Sequence, residues 1–196
     1  MVISINAAWN IVNFRAGLIA ALRERGYRVV ALAPPDDYSG RLAALGAEFE
    51  PIEMDKQGVS PVRDLLLLAR YWRALRRLRP DVLLGYTAKP NVYGSLAAQA
   101  LGIKVINNVA GLGTAFIREG LLTKIVRTLY RQAFRRSSTV FFQNSEDLRL
   151  FAGSGIVDPA KARLLPGSGI NLTRFAPAAA RSDDGEFRFL LVARLL

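Results

Sequence analysis

The sequence predicts an α/β fold with a doubly wound parallel sheet, and three observations support this class. Short apolar or β-branched runs alternate along the chain with longer segments of helical periodicity. Hairpin signals are missing between the predicted strands, so we expect right-handed crossovers through helices. The 196 residues, 51% of them hydrophobic and 22% charged, suffice for one domain with a buried core.

Glycine and proline divide the first half of the chain into elements. Gly26 and Gly46 are typical of helix ends, and Pro34-Pro35-Asp36-Asp37 predicts a turn. Between these stops the pattern predicts a strand at 2–6, a helix at 11–25, a strand at 29–33, a short helix at 38–45 and a strand at 48–53.

The second half continues the same alternation. Ser60 followed by Pro61 is typical of an N-cap and first helical residue, and Asn144 is expected to cap a later helix. The pattern predicts strands at 81–85, 103–106, 139–143 and 162–165, and helices at 61–78, 89–101, 119–136 and 144–151. The strand at 103–106 is expected to be buried on both faces.

These elements place a Rossmann-like domain at residues 1–166. Residues 167–186 follow a Pro-Gly-Ser-Gly turn and are rich in Ala, Pro, Asp and Ser, which is typical of a linker. Phe187 to Val192 then predicts a new buried strand. We therefore interpret residues 187–196 as the first strand of a truncated second domain.

The composition excludes several kinds of chemistry. Cysteine and histidine are absent, which excludes disulfides, cysteine nucleophiles, histidine bases and the usual zinc sites, and no carboxylate cluster follows a strand to suggest another metal site. No apolar run of about 18 residues and no signal-peptide pattern occur, which predicts a cytoplasmic location. The formal charge of +11 and the isoelectric point near 10.7 predict an anionic partner.

A glycine loop is the first candidate site, because ligands of open α/β sheets bind outside the carboxyl ends of the strands. The loop Asn107-Asn108-Val109-Ala110-Gly111-Leu112-Gly113-Thr114 follows the strand at 103–106. Its glycines could bring backbone N–H groups close to an anionic or sugar-like ligand. A tight turn with positive φ at Gly111 or Gly113 would explain the same glycines.

The loops after the first and fourth predicted strands border the same edge of the sheet. Their candidate residues are Trp9, Asn10, Asn13, Arg15, Tyr86, Thr87 and Lys89. Asparagine amides suit sugar hydroxyls, an aromatic ring suits the C–H face of a sugar, and Lys89 at a helix N-terminus suggests a bound anion. The alternatives are structural: Trp9 fills the core, Asn10 caps its helix and Lys89 is solvated.

Two stripes of basic residues carry much of the positive charge. They are Arg70, Arg73 and Arg77 on the long helix, and Lys124, Arg127, Arg131 and Arg135 on the helix after the glycine loop. Each stripe is either a solvated face or a surface for an anionic partner. A membrane rim or a diphosphate-bearing lipid fits, whereas nucleic acid is disfavoured because base-stacking aromatics and known motifs are missing.

Three segments of the C-terminal third carry motifs in a distinctive order. They are Phe141-Phe142-Gln143-Asn144-Ser145-Glu146-Asp147, then Leu164-Leu165-Pro166-Gly167-Ser168-Gly169-Ile170-Asn171 with Phe175 and Pro177, then Phe189-Leu190-Leu191-Val192-Ala193-Arg194-Leu195-Leu196. This order resembles the family 4 retaining glycosyltransferases, which pair two Rossmann-like domains in the GT-B arrangement. The loops at 6–15 and 111–114 resemble the bacterial subgroup that adds sugars to polyprenyl-diphosphate-linked glycans.

The resemblance implies that this chain is the N-terminal, acceptor-side half of a GT-B enzyme at the inner face of the cytoplasmic membrane. The full-length enzyme is expected to transfer a sugar with retention, and without a metal ion or cofactor, from a nucleotide-sugar donor, with UDP implied. The acceptor would be a polyprenyl-diphosphate-linked glycan in cell-surface polysaccharide or lipopolysaccharide synthesis.

The same resemblance assigns roles to particular residues. The candidates in the three loops would bind the acceptor, and Arg194 would contact the donor diphosphate. The interdomain cleft would be lined by Asn144, Gly167, Ser168, Gly169 and Asn171. Most catalytic groups would lie in the missing domain, so we expect the 196-residue chain to be inactive alone.

Two other functions remain open on the sequence. A sugar-nucleotide 2-epimerase shares the two-domain architecture, although the missing histidine and the basic stripes disfavour it. A non-enzymatic Rossmann-like module that binds a nucleotide or nucleic acid is the third possibility.

Overall fold

A parallel sheet organises the part of the chain that the computed structural model describes, which comprises residues 1–55, 60–111, 120–173, 175–176 and 189–192. Seven strands lie in the order β3-β2-β1-β4-β5-β6-β7. Their bounds are β1 Val2–Ser4, β2 Val30–Ala33, β3 Glu48–Pro51, β4 Val82–Tyr86, β5 Lys104–Val109, β6 Thr139–Phe142 and β7 Ala162–Leu164. Every strand pair is parallel, so the predicted α/β, Rossmann-like class is confirmed.

The helices follow the predicted order, with three local differences. The α-helices are α1 Ala8–Phe14, α2 Ala16–Glu24, α3 Pro61–Leu78, α4 Ser95–Ala100, α5 Leu121–Phe134 and α6 Ser145–Gly153. Asn144 caps α6 as predicted, accepting a hydrogen bond from the backbone N–H of Asp147 at 2.8 Å. Ser60 precedes α3 but makes no side-chain cap bond.

The single helix predicted at 11–25 is broken at Arg15. Its backbone has φ −125° and ψ 4°, outside the helical range, and separates α1 from α2. The side chain of Arg15 explains the break, because it is held against the Tyr86 ring and the hydroxyl of Ser168. Periodicity along one segment carries no information about these distant partners.

The two other predicted helices also begin or run differently. The helix at 38–45 is replaced by two 3₁₀ turns, Ser39–Arg41 and Ala43–Leu45, and Gly40 in the first turn weakens helical continuity. The helix at 89–101 starts with a π turn at Pro90–Gly94 that leads into α4. In that turn the Asn91 side chain reaches back to the sheet by donating to the carbonyl of Asn108.

Apolar side chains fill both faces of the sheet. On one face, Leu67, Tyr71 and Leu75 of α3 pack over Leu83 and Val105. The other face carries α1 and α2, whose Ile11 and Ile19 pack on Ile3, Ala31 and Leu84. A third cluster surrounds Phe151 of α6 and includes Tyr130, Phe134 and Phe142.

The interpretation of Phe187–Val192 as the first strand of a second domain stays a prediction. Residues 189–192 belong to no strand, and their side chains are 85–91% exposed. An apolar run is buried only where neighbouring strands cover it, and the sheet ends at β3 and β7. The remaining positions of that predicted strand lie outside the described residues.

Within the described ranges, no helix is both long enough and apolar enough to cross a membrane.

Candidate functional site

The order in which the chain adds strands reverses between β1 and β4. This reversal places a crevice outside the carboxyl ends of the two strands. From β1 the chain proceeds to β2 and β3 on one side, and from β4 to β5, β6 and β7 on the other. Such a switch point is where ligands bind in open α/β sheets. The loops that the sequence singled out after β1 and β4 therefore meet at one edge, as predicted.

A cleft of about 720 Å³ opens beside this edge. The strand register places Leu84 of β4 next to Ile106 of β5, and Asn108 next to Phe141 of β6. These strand residues line the cleft together with Leu18 and Leu22 of α2 and the segment from Leu165 to Gly169. The cleft is therefore largely apolar, with polar groups gathered near the carboxyl ends of the strands.

Arg15 and Tyr86 form the charged end of the cleft. The guanidinium carbon of Arg15 lies 4.3 Å from the centre of the Tyr86 ring. Nη1 of Arg15 donates to the hydroxyl of Ser168 at 2.6 Å and to the carbonyl of Phe14 at 3.2 Å. Burial lowers the pKa of Arg15 and raises the pKa of Tyr86. The contacts of Arg15 with Tyr86 and Ser168 connect three segments that are distant in sequence.

Thr87 stands in a strained conformation directly after β4. Its φ of 62° is unusual for a β-branched residue, and its hydroxyl donates to the carbonyl of Tyr86 at 2.5 Å. Strain of this kind occurs preferentially at ligand sites, where surrounding structure maintains it. Thr87 thus fixes the direction in which the chain leaves β4 beside the cleft.

Asn107 does not have a free amide for a ligand. Its side chain is buried and donates to Asn91 Oδ1 at 3.0 Å and to Ser95 Oγ at 2.8 Å. Its own Oδ1 accepts a hydrogen bond from Ser137 Oγ at 2.7 Å. All three bonds are made inside the protein, and the role of Asn107 in acceptor binding stays a prediction. Asn107 and Asn108 both line the cleft.

Lys89 is also engaged within the protein. Its ammonium lies 2.8 Å from the carboxylate of Asp64, and the two side chains are only 16% and 9% exposed. The predicted anion at Lys89 is therefore replaced by a carboxylate of α3. Local sequence patterns do not reveal this partner, because Asp64 lies in a separate helix.

Trp9 and its neighbours form an exposed platform at the same edge. Trp9 does not fill the core, since it is 43% exposed and packs edge to face against Phe14 at 5.5 Å. Asn10 is not an N-cap: its amide donates to Asn6 Oδ1 at 3.3 Å. Asn13 donates to the carbonyl of Trp9 at 2.9 Å and remains exposed.

The glycine loop can be assessed only at its start. Gly111 has a φ of 154°, a positive value that favours glycine, and its role in acceptor binding stays a prediction. Leu112, Gly113 and Thr114 lie outside the described residues, and so does Arg194.

The residues expected at an interdomain cleft are exposed. Asn144 caps α6, and Asn171 Oδ1 accepts a hydrogen bond from the backbone N–H of Thr173 at 3.0 Å. Gly167 and Gly169 have positive φ and lead the chain past Arg15, where Ser168 contacts it.

The basic stripe of α3 is largely neutralised by β3 and the residues after it. Arg70 pairs with Glu53, and Arg77 pairs with Glu50. Two of the three arginines of this stripe are therefore paired within the protein. Arg73 has no ion-pair partner among the residues seen in the structure.

The second stripe, on α5, keeps its charge. No ion pair within the described ranges involves Lys124, Arg127, Arg131 or Arg135. Arg131 instead donates to the backbone carbonyls of Gly155 and Ser154 at the end of α6.

Sequence reasoning missed the apolar residues of the site. Phe14 and Phe141 line the cleft, and the outward face of α3 exposes Val62, Leu65 and Leu66. The helical periodicity of α3 could have revealed Val62, Leu65 and Leu66 as an outward apolar face, because they lie opposite the buried stripe of the same helix. Among the described residues, no group of three or more acidic side chains lies close enough together to hold a metal ion.

Comparison with known proteins gives consistent results. Residues 11–167 match the glycosyl transferase 4-like domain family model. Over 186 residues the chain is 27% identical to an N,N'-diacetylbacillosaminyl-diphospho-undecaprenol alpha-1,3-N-acetylgalactosaminyltransferase of Campylobacter jejuni, covering 92% of this chain and 49% of the relative. It is 26% identical to the UDP-Gal:alpha-D-GlcNAc-diphosphoundecaprenol alpha-1,3-galactosyltransferase of Escherichia coli, covering 71% of this chain and 38% of that enzyme.

A solved structure confirms the fold. A glycosyltransferase from Rickettsia africae superposes with a TM-score of 0.64 and 13% identity, covering 92% of this chain and 45% of that one. The chain thus spans about half the length of the Campylobacter jejuni and Rickettsia africae proteins. Since the family model covers most of the described sheet, the chain belongs to the glycosyl transferase 4-like domain family.

Proposed function

We propose that this chain is the acceptor-side half of a glycosyltransferase that moves a sugar from a UDP-sugar to an undecaprenyl-diphosphate-linked glycan. The observation that carries the proposal is the family match together with two relatives named for transfer to diphosphoundecaprenol acceptors. One of those names includes a UDP-sugar donor. These names also favour a transferase over the epimerase and binding-module alternatives.

The geometry supports an acceptor role for the cleft. Trp9 and Phe14 offer exposed aromatic faces to a sugar ring, and the Asn13 amide lies one helical turn from Trp9. The adjoining cleft adds an apolar surface and one guanidinium. A lipid-linked sugar has the same sequence of chemistry: glycan, diphosphate, then isoprenoid.

We propose further that transfer proceeds with retention and without a metal ion. The family resemblance supports retention, and both named relatives form alpha-1,3 linkages. Cationic side chains would stabilise the charge that develops on the departing nucleotide, with Arg194 as a candidate. On this account chelation by EDTA leaves the rate unchanged.

The direct test is a transfer assay with a panel of UDP-sugars and a polyprenyl-diphosphate-linked acceptor, analysed by mass spectrometry. The 196-residue chain is compared with a longer protein that contains it. We expect the longer form alone to add one sugar. If neither form transfers any sugar while the chain binds a nucleotide or nucleic acid tightly, the binding-module alternative replaces the transferase.

We also propose that the outward face of α3 docks on the inner face of the cytoplasmic membrane. Val62, Leu65 and Leu66 are 72%, 67% and 51% exposed, and lie on one face with Arg73. Apolar residues flanked by cations are typical of interfacial helices. An enzyme whose acceptor is anchored in lipid would need such a face to lie against the membrane.

Vesicle flotation of the 196-residue chain tests the docking face. The double variant Leu65→Ser/Leu66→Ser should bind anionic vesicles at least about tenfold more weakly, since burying each leucine contributes about 1.5–3 kcal/mol. Leu172→Ser is the matched control, because Leu172 is 70% exposed but lies away from α3. Equal loss of vesicle binding in the control, or no loss in the double variant, rules out this face as the membrane-docking surface.

A further inference from the structure

Arg15 is the unexplained cation of the cleft. The ion pairs of the described residues involve Arg28, Arg63, Arg70, Arg77 and Lys89, and none involves Arg15. Its Nε is buried and has no hydrogen-bond partner. A partly desolvated cation that lacks a counter-charge is unfavourable, and an unpaired buried donor adds to the cost.

The surroundings of Arg15 hold the guanidinium in place without neutralising it. Tyr86 covers one face of the group at 4.3 Å, and Nη1 makes both side-chain hydrogen bonds, to Ser168 and to the carbonyl of Phe14. All of these partners are formally uncharged. The helix α2 begins at the next residue, so its positive dipole end lies at the same place.

The space next to Arg15 is open. Gly17 lines the cleft, and a Cβ at this position would meet no atom within 4 Å. Beyond Arg15 the lining becomes apolar, with Leu18, Leu84 and Ile106. A ligand that occupies both regions needs an anionic group joined to an apolar chain.

We infer that Arg15 binds the diphosphate group of an organic diphosphate, with the cleft holding the adjoining part of that ligand. This inference rests on the proposed function, which supplies two diphosphates: that of the lipid-linked acceptor and that of the nucleotide donor. The planar guanidinium forms paired hydrogen bonds with phosphate oxygens. The apolar lining favours the isoprenoid source.

Isothermal titration of the 196-residue chain with inorganic pyrophosphate, farnesyl diphosphate, UDP and farnesol tests the inference. The three diphosphates should bind, farnesyl diphosphate most tightly, and farnesol much more weakly. Arg15→Gln should weaken farnesyl diphosphate binding at least about tenfold, because hydrogen bonds to charged groups are the strong class. Arg15→Lys, which keeps the charge but loses the planar fork, should weaken it less.

Arg25→Gln is the matched control, since Arg25 is exposed and donates only to the carbonyl of Ala21. It should bind all ligands as the parent chain does, and thermal melting of each variant checks the fold. Parent-like binding by a folded Arg15→Gln variant, or no diphosphate binding by the parent, overturns the inference. If UDP binds most tightly and depends on Arg15, the diphosphate site stands and the donor is its source. Sugar transfer by the longer protein is measured separately, so these failures are distinguishable from failure of the proposed function.

Discussion

Replacing Lys89 with methionine should destabilise the fold rather than remove a ligand site. The change leaves the carboxylate of Asp64, whose side chain is 9% exposed, without its cation at 2.8 Å. Breaking a buried ion pair from one side costs about 3–5 kcal/mol. We expect a value near the lower end, about 3 kcal/mol, because Lys89 retains some exposure.

A double-mutant cycle measured by urea unfolding separates this effect from a surface pair. Lys89→Met and Asp64→Leu should each be strongly destabilising, whereas the double variant should cost less than the sum by at least about 2 kcal/mol. Arg63→Met is the control, since the Arg63–Asp55 pair is 70% and 39% exposed and should cost less than about 1 kcal/mol. Single changes at Lys89 and Asp64 that resemble this control, or additive costs, would refute the buried-pair argument.

Three further predictions concern the interior. Gly85→Ala should lower the free energy of unfolding by about 2–3 kcal/mol, because the new Cβ would lie 2.8 Å from Asn91 Oδ1; an unchanged urea midpoint would contradict this steric argument. Phe151→Ala should cost about 3–5 kcal/mol by emptying the third core cluster, and a loss below about 1 kcal/mol by the same assay would show that the cluster is not tightly packed. Burial raises the pKa of Tyr71 and of Tyr130. Above about pH 10 the unfolded chain therefore releases phenol protons that the folded chain keeps. The free energy of unfolding should consequently fall as pH rises. Ultraviolet titration should show these two phenols still protonated at pH 11 in the folded chain, and normal ionisation would contradict it.

The sequence contained enough information for the sheet but not for every helix. Strands β1, β2 and β4 coincide with apolar runs because the inner strands of a parallel sheet are buried on both faces, whereas the edge strands β3 and β7 contain exposed residues. The break at Arg15 depends on Tyr86 and Ser168, which are remote along the chain. Local periodicity reports which face of a segment is apolar, whereas such breaks come from tertiary contacts.

The sequence placed the candidate residues at one edge of the sheet but did not reveal the partners of their side chains. Asn107 was predicted in the loop after a strand but lies within β5, and Lys89 follows β4; their polar groups bond to Ser95 and Asp64 inside the protein. Their partners lie on other elements, and residue type alone cannot distinguish a buried polar network from a ligand site.

The proposed acceptor role assigns Trp9 to contact with the acceptor sugar. Its most direct test is a steady-state measurement on the longer protein carrying Trp9→Ala, with the lipid-linked acceptor and the UDP-sugar varied in turn. Trp9 is exposed on the platform beside the cleft. We therefore expect its loss to raise the acceptor KM by about tenfold, since the lost contact is on the order of 1–2 kcal/mol. The donor KM should be unchanged. A raised donor KM with an unchanged acceptor KM would contradict the assignment of this half to the acceptor.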